Sequence, residues 1–436
     1  MSAYSVREQR AWYSYDWANS GFATTAIALF LGPYLTSLAK SAADSSGHVN
    51  PLGVPVDARS YWSYLVSLSV ILQVLVLPLV GAVADYGRKK KECLAITAFV
   101  GSIAAMFMFT LDGAEYQLGG FLFLVANVSF GASIVVYNSF LPEIAPPEQR
   151  DAVSSRGWGI GYLGGGVLLA LNLLLYLNAP KLGMSEGLAV RISLGSSGVW
   201  WALFTIPALL LLRNRNSRTH PAGHGVGAVA VLRQLARTIR ELRRYPHTAT
   251  FLIAFLLYND AIQAVLALAS QFGNDELNIP VATLTLAILM VQFVAFFGAL
   301  GFNSLAARMG TKQAIILSLV LWTGALLLLY AWVHTTLEFF ILAALVAIVM
   351  GGSQALSRSL FAQLIPKGRE AEYFGIYEIS DKGTSWLCPM IFGLALQLTN
   401  SYRLAILSLI VFFIAGLLVL TRVDVVEGQR EALTVK

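Results

Sequence analysis

Apolar residues along this chain come in runs of about 20 to 27 positions, separated by short polar breaks. A helix rises 1.5 Å per residue, so about 20 residues cross a hydrocarbon core about 30 Å thick. The runs predict twelve transmembrane helices, at 12–38, 60–85, 92–111, 117–140, 155–177, 193–212, 247–270, 280–306, 312–333, 337–362, 373–398 and 402–421. A transmembrane barrel would instead show segments of about ten residues with alternating polarity. The fold class expected is an all-α polytopic membrane protein.

The longest polar break, Arg213 to Pro246, divides the spans six and six. It sets expected units at 1–212, 213–246 and 247–436. Its first part, "RNRNSRTHPAGHGVG", reads as a linker. In its second part Val231, Leu232, Leu235, Ile239 and Leu242 fall on one helical stripe, with Arg233, Arg237, Arg240 and Arg244 opposite. Such a basic amphipathic helix lies on a membrane surface, held by anionic lipid.

The two halves repeat each other. "NSFLPEIAPPEQRDAVSSRGWG" after the fourth span matches "RSLFAQLIPKGREAEYFGIYE" after the tenth, and "GAVADYGRKK" matches "NSLAARMGTK". Half-chain repeats of six spans predict two pseudo-symmetric bundles with a solute site between them near the midplane.

Composition agrees with the pattern and adds orientation. The 436 residues are 57% hydrophobic and 12% charged, against about 25% charged in soluble chains. The net charge of +6 could suggest nucleic acid, but its distribution does not. With twelve spans both termini share one side, and that side holds 24 of the 30 Lys and Arg residues. The positive-inside rule then places both termini in the cytoplasm, with no nucleic-acid partner. Polar residues ahead of a full-length first span predict no cleavable signal. Cys93 and Cys388 are far apart, and the five histidines form no cluster, so neither a disulfide framework nor a metal site is expected. No GxxxxGK[ST] motif suggests ATP drive, and no nucleophile–base cluster suggests an enzyme.

"GAVADYGRKK" is similar to the loop signature between the second and third helices of the major facilitator superfamily, one residue short between Asp85 and Gly87. In the second half Ala307 stands at the Asp position. "YDWANSGFATT", "YNSFLPEIA", "GYLGGG", "LYND", "GGSQALSRSLFAQLIPKGRE" and "EISDKGTSW" resemble the vacuolar-effluxer-like branch of that superfamily. This branch groups fungal autophagy-related amino-acid effluxers with bacterial members of unassigned substrate. The resemblance implies the major facilitator fold, alternating access, and a cytoplasmic lock that includes Asp85 and Arg88. "GWGIGYLGGG" is also similar to a glycine-rich antiporter signature, with Tyr162 in place of its proline; close helix packing through small residues is the alternative.

Charges inside spans are costly, about 2.5–3.5 kcal/mol each at mid-bilayer, so each needs a partner or a wet cavity. Asp260, in "YNDAIQ", lies roughly 18 Å into the seventh span and is the expected proton-coupling site. Arg358 and Asp381 each lie roughly 12 Å from the terminal side, and Glu378 and Lys382 are spaced i,i+4. Arg358, Glu378, Asp381 and Lys382 therefore form an expected cytoplasmic gate cluster. Asp16, about 8 Å into the first span, is its expected partner through Arg358 or Lys382. Asn19, Asn138, Asn259, Gln263 and Gln354 are the expected solute-path residues, with Asn127, Asn172 and Gln292 second. Trp12, Tyr13, Tyr15 and Trp17 read as an interfacial aromatic belt.

The reading is a monomeric secondary transporter in the inner membrane, if the source is bacterial. It moves a small polar solute such as an amino acid, with no bound cofactor and a proton or ion gradient as drive. A lipid or lysophospholipid flippase and a non-transporting sensor or scaffold are the alternatives.

Overall fold

The computed structural model describes residues 5–58, 61–86, 89–215, 240–382, 387–399 and 401–434. The predicted linker helix falls largely at 216–239, outside the described residues. The spanning helices are α1 (Val6–Ala42), α2 (Tyr61–Tyr86), α3 (Lys90–Phe107), α4 (Tyr116–Ser139), α5 (Arg150–Asn178) and α6 (Glu186–Leu211) in the first half. The second half has α7 (Pro246–Asp275), α8 (Val281–Met309), α9 (Thr311–Ala331), α10 (Thr336–Leu364), α11 (Glu370–Lys382 with Leu387–Thr399) and α12 (Tyr402–Thr421). A short α13 (Val425–Thr434) follows.

Among the described residues, 11 helices are long and apolar enough to cross a membrane. The twelfth, α11, is described as two segments of 13 residues each, the first carrying Glu370, Glu372 and Glu378. The described side chains around the charges of that first segment pack against protein. Tyr373, Phe374 and Glu378 there are all at most 5% exposed.

Both termini lie on one face, called here the terminal face. Gln9 donates to the Ile144 carbonyl at the end of the α4 region, and Gln429 of α13 donates to Gln363 at the end of α10. Lys90 joins those two regions through Glu143 and Glu370. On the opposite face a two-residue antiparallel ribbon pairs His48 with Asp57 and Val49 with Val56.

Within the first half, α1 packs on α5 and α6. The halves meet where α5 crosses α8 and α10, and where α11 crosses α2 and α4. Small residues make these crossings close. A Cβ at Gly81 would collide with the Ala371 carbonyl oxygen where α2 meets α11, and within the second half one at Gly351 would collide with that of Ala295 on α8.

The glycine-rich run of α5 works the same way on both of its sides. Gly157, Gly161, Gly164 and Gly165 face α1, while Gly159 and Gly166 face Phe296 and Gln292 of α8. A Cβ at Gly164 would sit 2.6 Å from the Trp17 carbonyl oxygen. Gly164→Ala is therefore expected to cost about 1–3 kcal/mol by overpacking. Gly324→Ala, where a Cβ meets nothing within 4 Å, is expected to be neutral or stabilising by up to about 1 kcal/mol. Thermal unfolding of the two purified variants side by side checks the contrast.

Candidate functional site

Between the halves lies a cavity of about 440 Å³. Its walls include Asn19, Asn138 and Tyr162 from the first half, and Asn259, Gln263, Gln292 and Gln354 from the second. Ile27, Phe130, Ile134 and Leu266 add apolar surface, and Asp16, Arg358 and Glu378 bring charge into the same space.

Arg358 organises the charged end. It is 3% exposed, and its guanidinium stacks over Trp12 at 4.7 Å and Trp158 at 5.3 Å. Its Nε donates to Ser154 Oγ at 2.9 Å and its Nη2 to the Ser154 carbonyl at 2.8 Å. Nη1 reaches Asn138 Oδ1 and Asp16 Oδ2, each at 3.4 Å. The planar fork uses several donors and both faces, which a lysine ammonium could not do. Ser154 in turn donates to the Ala355 carbonyl one turn earlier on α10, closing a loop between α5 and α10.

Asp16 is held from the other side by the Tyr137 hydroxyl at 2.6 Å. Tyr137 stacks on Trp12 with centroids 4.4 Å apart, and the Trp12 indole donates to the Tyr137 carbonyl. Two aromatic rings thus fix the carboxylate that meets Arg358 across the interface between halves. Asn138 bridges the charges differently. Its Oδ1 accepts from Arg358, and its Nδ2 donates to Glu378 Oε1 at 3.0 Å. Tyr162 adds a bond to Gln354 at 3.0 Å between α5 and α10.

A second ionic cluster closes the terminal face. Lys90 Nζ lies 3.2 Å from Asp85, 2.7 Å from Glu143 and 3.1 Å from Glu370, so one ammonium serves three carboxylates from both halves. Asp85 also accepts from the Glu372 backbone N–H at the start of α11, a helix N-terminus that favours an anion. Glu370 also accepts from the backbone N–H of Gly368. Around this cluster, Arg150 donates to the Ala362 carbonyl at 2.7 Å, and Thr311 donates to Asp151 at 2.5 Å.

Several expectations need correction. Asp260 is absent from the cavity wall: its Oδ2 accepts from the Cys388 backbone N–H inside the second half. Its neighbour Asn259 takes the cavity position instead, because consecutive helical residues point about 100° apart. Trp12 and Tyr15 are fully buried, so they are part of the protein core and do not form an interfacial belt. Asn127 binds Ser69, and Asn172 binds Ser196, so both tie helices within the first half. Arg88 lies outside the described residues, as do the side chains of Asp381 and Lys382. Glu143 and Glu370 were not anticipated. Their only sequence signal is acidic residues close after the ends of matching spans. Among the described residues, no three His, Cys, Asp or Glu side chains converge as a metal site would require.

Two six-helix halves around a shared polar cavity, bolted together toward one face, define a polytopic membrane protein of the major facilitator fold. The chain belongs to the family described as "Vacuole effluxer Atg22 like", whose profile matches residues 4–433. It is 29% identical to the MFS-type transporter YxiO of Bacillus subtilis, with 98% of each chain covered. It is 28% identical to autophagy-related protein 22-1 of Penicillium rubens, covering 98% of this chain and 92% of that one. The E. coli fucose:proton symporter FucP superposes with a TM-score of 0.71 over 96% of this chain and 99% of that chain. At 14% identity, that likeness speaks to the fold alone.

Proposed function

We propose that this protein is a secondary active carrier that moves a small polar solute by alternating access. In this reading the terminal face is cytoplasmic and the structure is the outward-facing form. The observation that supports it best is the shared cavity, whose floor is built from bonds between halves that rocking would break. Asp16–Arg358, Asn138–Glu378 and Tyr162–Gln354 are those bonds. The excess of Lys and Arg on the terminal side supports the orientation.

Amino acids are the solute class to test first, in keeping with family membership. Arg358 and the carboxylates of Asp16 and Glu378 offer both signs of charge that a zwitterion needs. The test is a solute panel screened by thermal stabilisation of purified protein, followed by uptake into proteoliposomes under an imposed pH gradient. Solute-dependent stabilisation and gradient-driven uptake are expected. A protein neither stabilised by nor transporting any member of a broad amino-acid and sugar panel would overturn the reading.

A proton gradient is the proposed drive, with Glu378 as the coupling carboxylate. Protonation of Glu378 removes the charge that holds Asn138 of the opposite half, so it would loosen a bond between halves. Glu378→Gln is expected to abolish the response of uptake to a pH gradient while solute exchange continues. Asp260→Asn, which faces Cys388 rather than the cavity, is expected to keep that response. Gradient-driven uptake by Glu378→Gln liposomes would refute the assignment.

A further inference from the structure

The outer wall of the first half carries a groove that the transport reading leaves unused. It has a volume of about 320 Å³ and is lined by Arg10, Tyr13, Ser14 and Trp17 of α1, Ile160 of α5 and Phe204 of α6. We propose that this groove binds one anionic phospholipid, with its phosphate at Arg10 and Arg156 and an acyl chain along Trp17 and Phe204.

The vertical order of the groove fits that ligand. From the start of α1 at Val6, Arg10 lies roughly 6 Å along the helix, Tyr13 roughly 10 Å and Trp17 roughly 16 Å. Cations thus stand at headgroup level near the terminal face, and the aromatic wall stands at acyl depth. Arg156 of α5 borders the upper end, with its guanidinium beside the Tyr13 hydroxyl. Among the described residues, neither Arg10 nor Arg156 has a carboxylate within 4.0 Å. Both side chains are exposed. A diester phosphate supplies the missing anion and accepts from guanidinium groups in a bidentate way.

The lower end is preformed. Trp17 stacks on Trp200 with centroids 5.5 Å apart and meets Phe204 edge-on at 5.9 Å, while Trp200 and Phe204 lie 4.6 Å apart. The Trp200 indole donates to the Trp17 carbonyl at 3.1 Å, fixing the wall. Such rings are rigid, so seating a chain against them orders few rotors. Asp16, next to Trp17 and about 100° around α1 from it, meets Arg358. A lipid here therefore steadies the helix that holds the strap between halves.

The test uses the purified full chain in mixed micelles with phosphatidylglycerol or phosphatidylcholine of identical acyl chains. Native mass spectrometry counts retained lipid, and brominated-chain lipid reports quenching of tryptophan fluorescence. A roughly thirtyfold preference for phosphatidylglycerol is expected from two cations at headgroup level. The Arg10→Gln/Arg156→Gln variant is expected to lose that preference, and Trp17→Phe to lose most of the lipid-dependent quenching. Arg308→Gln/Arg422→Gln removes two exposed cations elsewhere on the terminal side and is expected to keep both. Equal retention of the two lipids, or equal loss in the two double variants, would overturn the proposal. The measurements read binding only, so their failure leaves the transport reading standing.

Discussion

Arg358→Ala is expected to abolish solute uptake and to destabilise the protein by about 3–5 kcal/mol, the usual cost of stranding one member of a buried ion pair. Asp16 is 6% exposed and would keep only the Tyr137 hydroxyl as a strong partner. Ser154 would lose two donors, and Trp12 and Trp158 would face an empty slot where the guanidinium stacked. Arg358→Lys should recover part of the charge but not the stacking or the fork. The double variant Asp16→Asn/Arg358→Gln separates the two roles. It removes both charges together, so most of the lost stability should return while transport stays absent. Denaturation midpoints of the purified variants, measured beside proteoliposome uptake, check both parts. A single Arg358→Ala variant with normal stability would show that the strap between halves carries little energy.

Lys90→Met should have the second-largest effect, on conformation rather than on solute contact. Three carboxylates, Asp85, Glu143 and Glu370, share this ammonium, and without it they repel one another. The closed terminal face then loses about 3–5 kcal/mol. Moving a two-state balance from 99:1 to 1:99 takes about 5.5 kcal/mol, so a loss of this size makes the terminally open form abundant. Ser155→Cys is a suitable reporter: Ser155 is fully buried on α5, next to the Ser154 that bonds Ala355 of the other half, and should become reactive to a polar maleimide only when the halves part. Faster labelling in the Lys90→Met background is the expected result, and an unchanged rate would remove Lys90 from the lock.

How much of this was legible in the sequence differs by kind of information. Run length and spacing gave twelve helices and the six-and-six division, because bilayer thickness imposes a length that any apolar run must meet. Depth was also readable: counting residues put Asp16 and Arg358 at similar levels, and the structure places them 3.4 Å apart. Azimuth was not readable. Asn259 and Asp260 are neighbours of nearly equal depth, yet one lines the cavity and the other turns to Cys388. Burial by neighbouring helices was equally hidden. Trp12 and Tyr15 have the composition of an interfacial belt, and only the approach of α4 and α5 shows that they are core.

By itself, then, the sequence determined the solvent of this protein, the number of its crossings, its internal repeat and the height of each charge. Those properties follow from transfer energies and helical rise, which act locally along one chain. The tertiary structure alone decided partnership: that Lys90 binds Glu370, 280 positions away, and that Arg358 lies between Trp12 and Trp158. Such pairings depend on how twelve helices rotate against one another. That rotation is fixed by close contacts such as Gly164 against Trp17 and Gly81 against Ala371, which no single segment encodes.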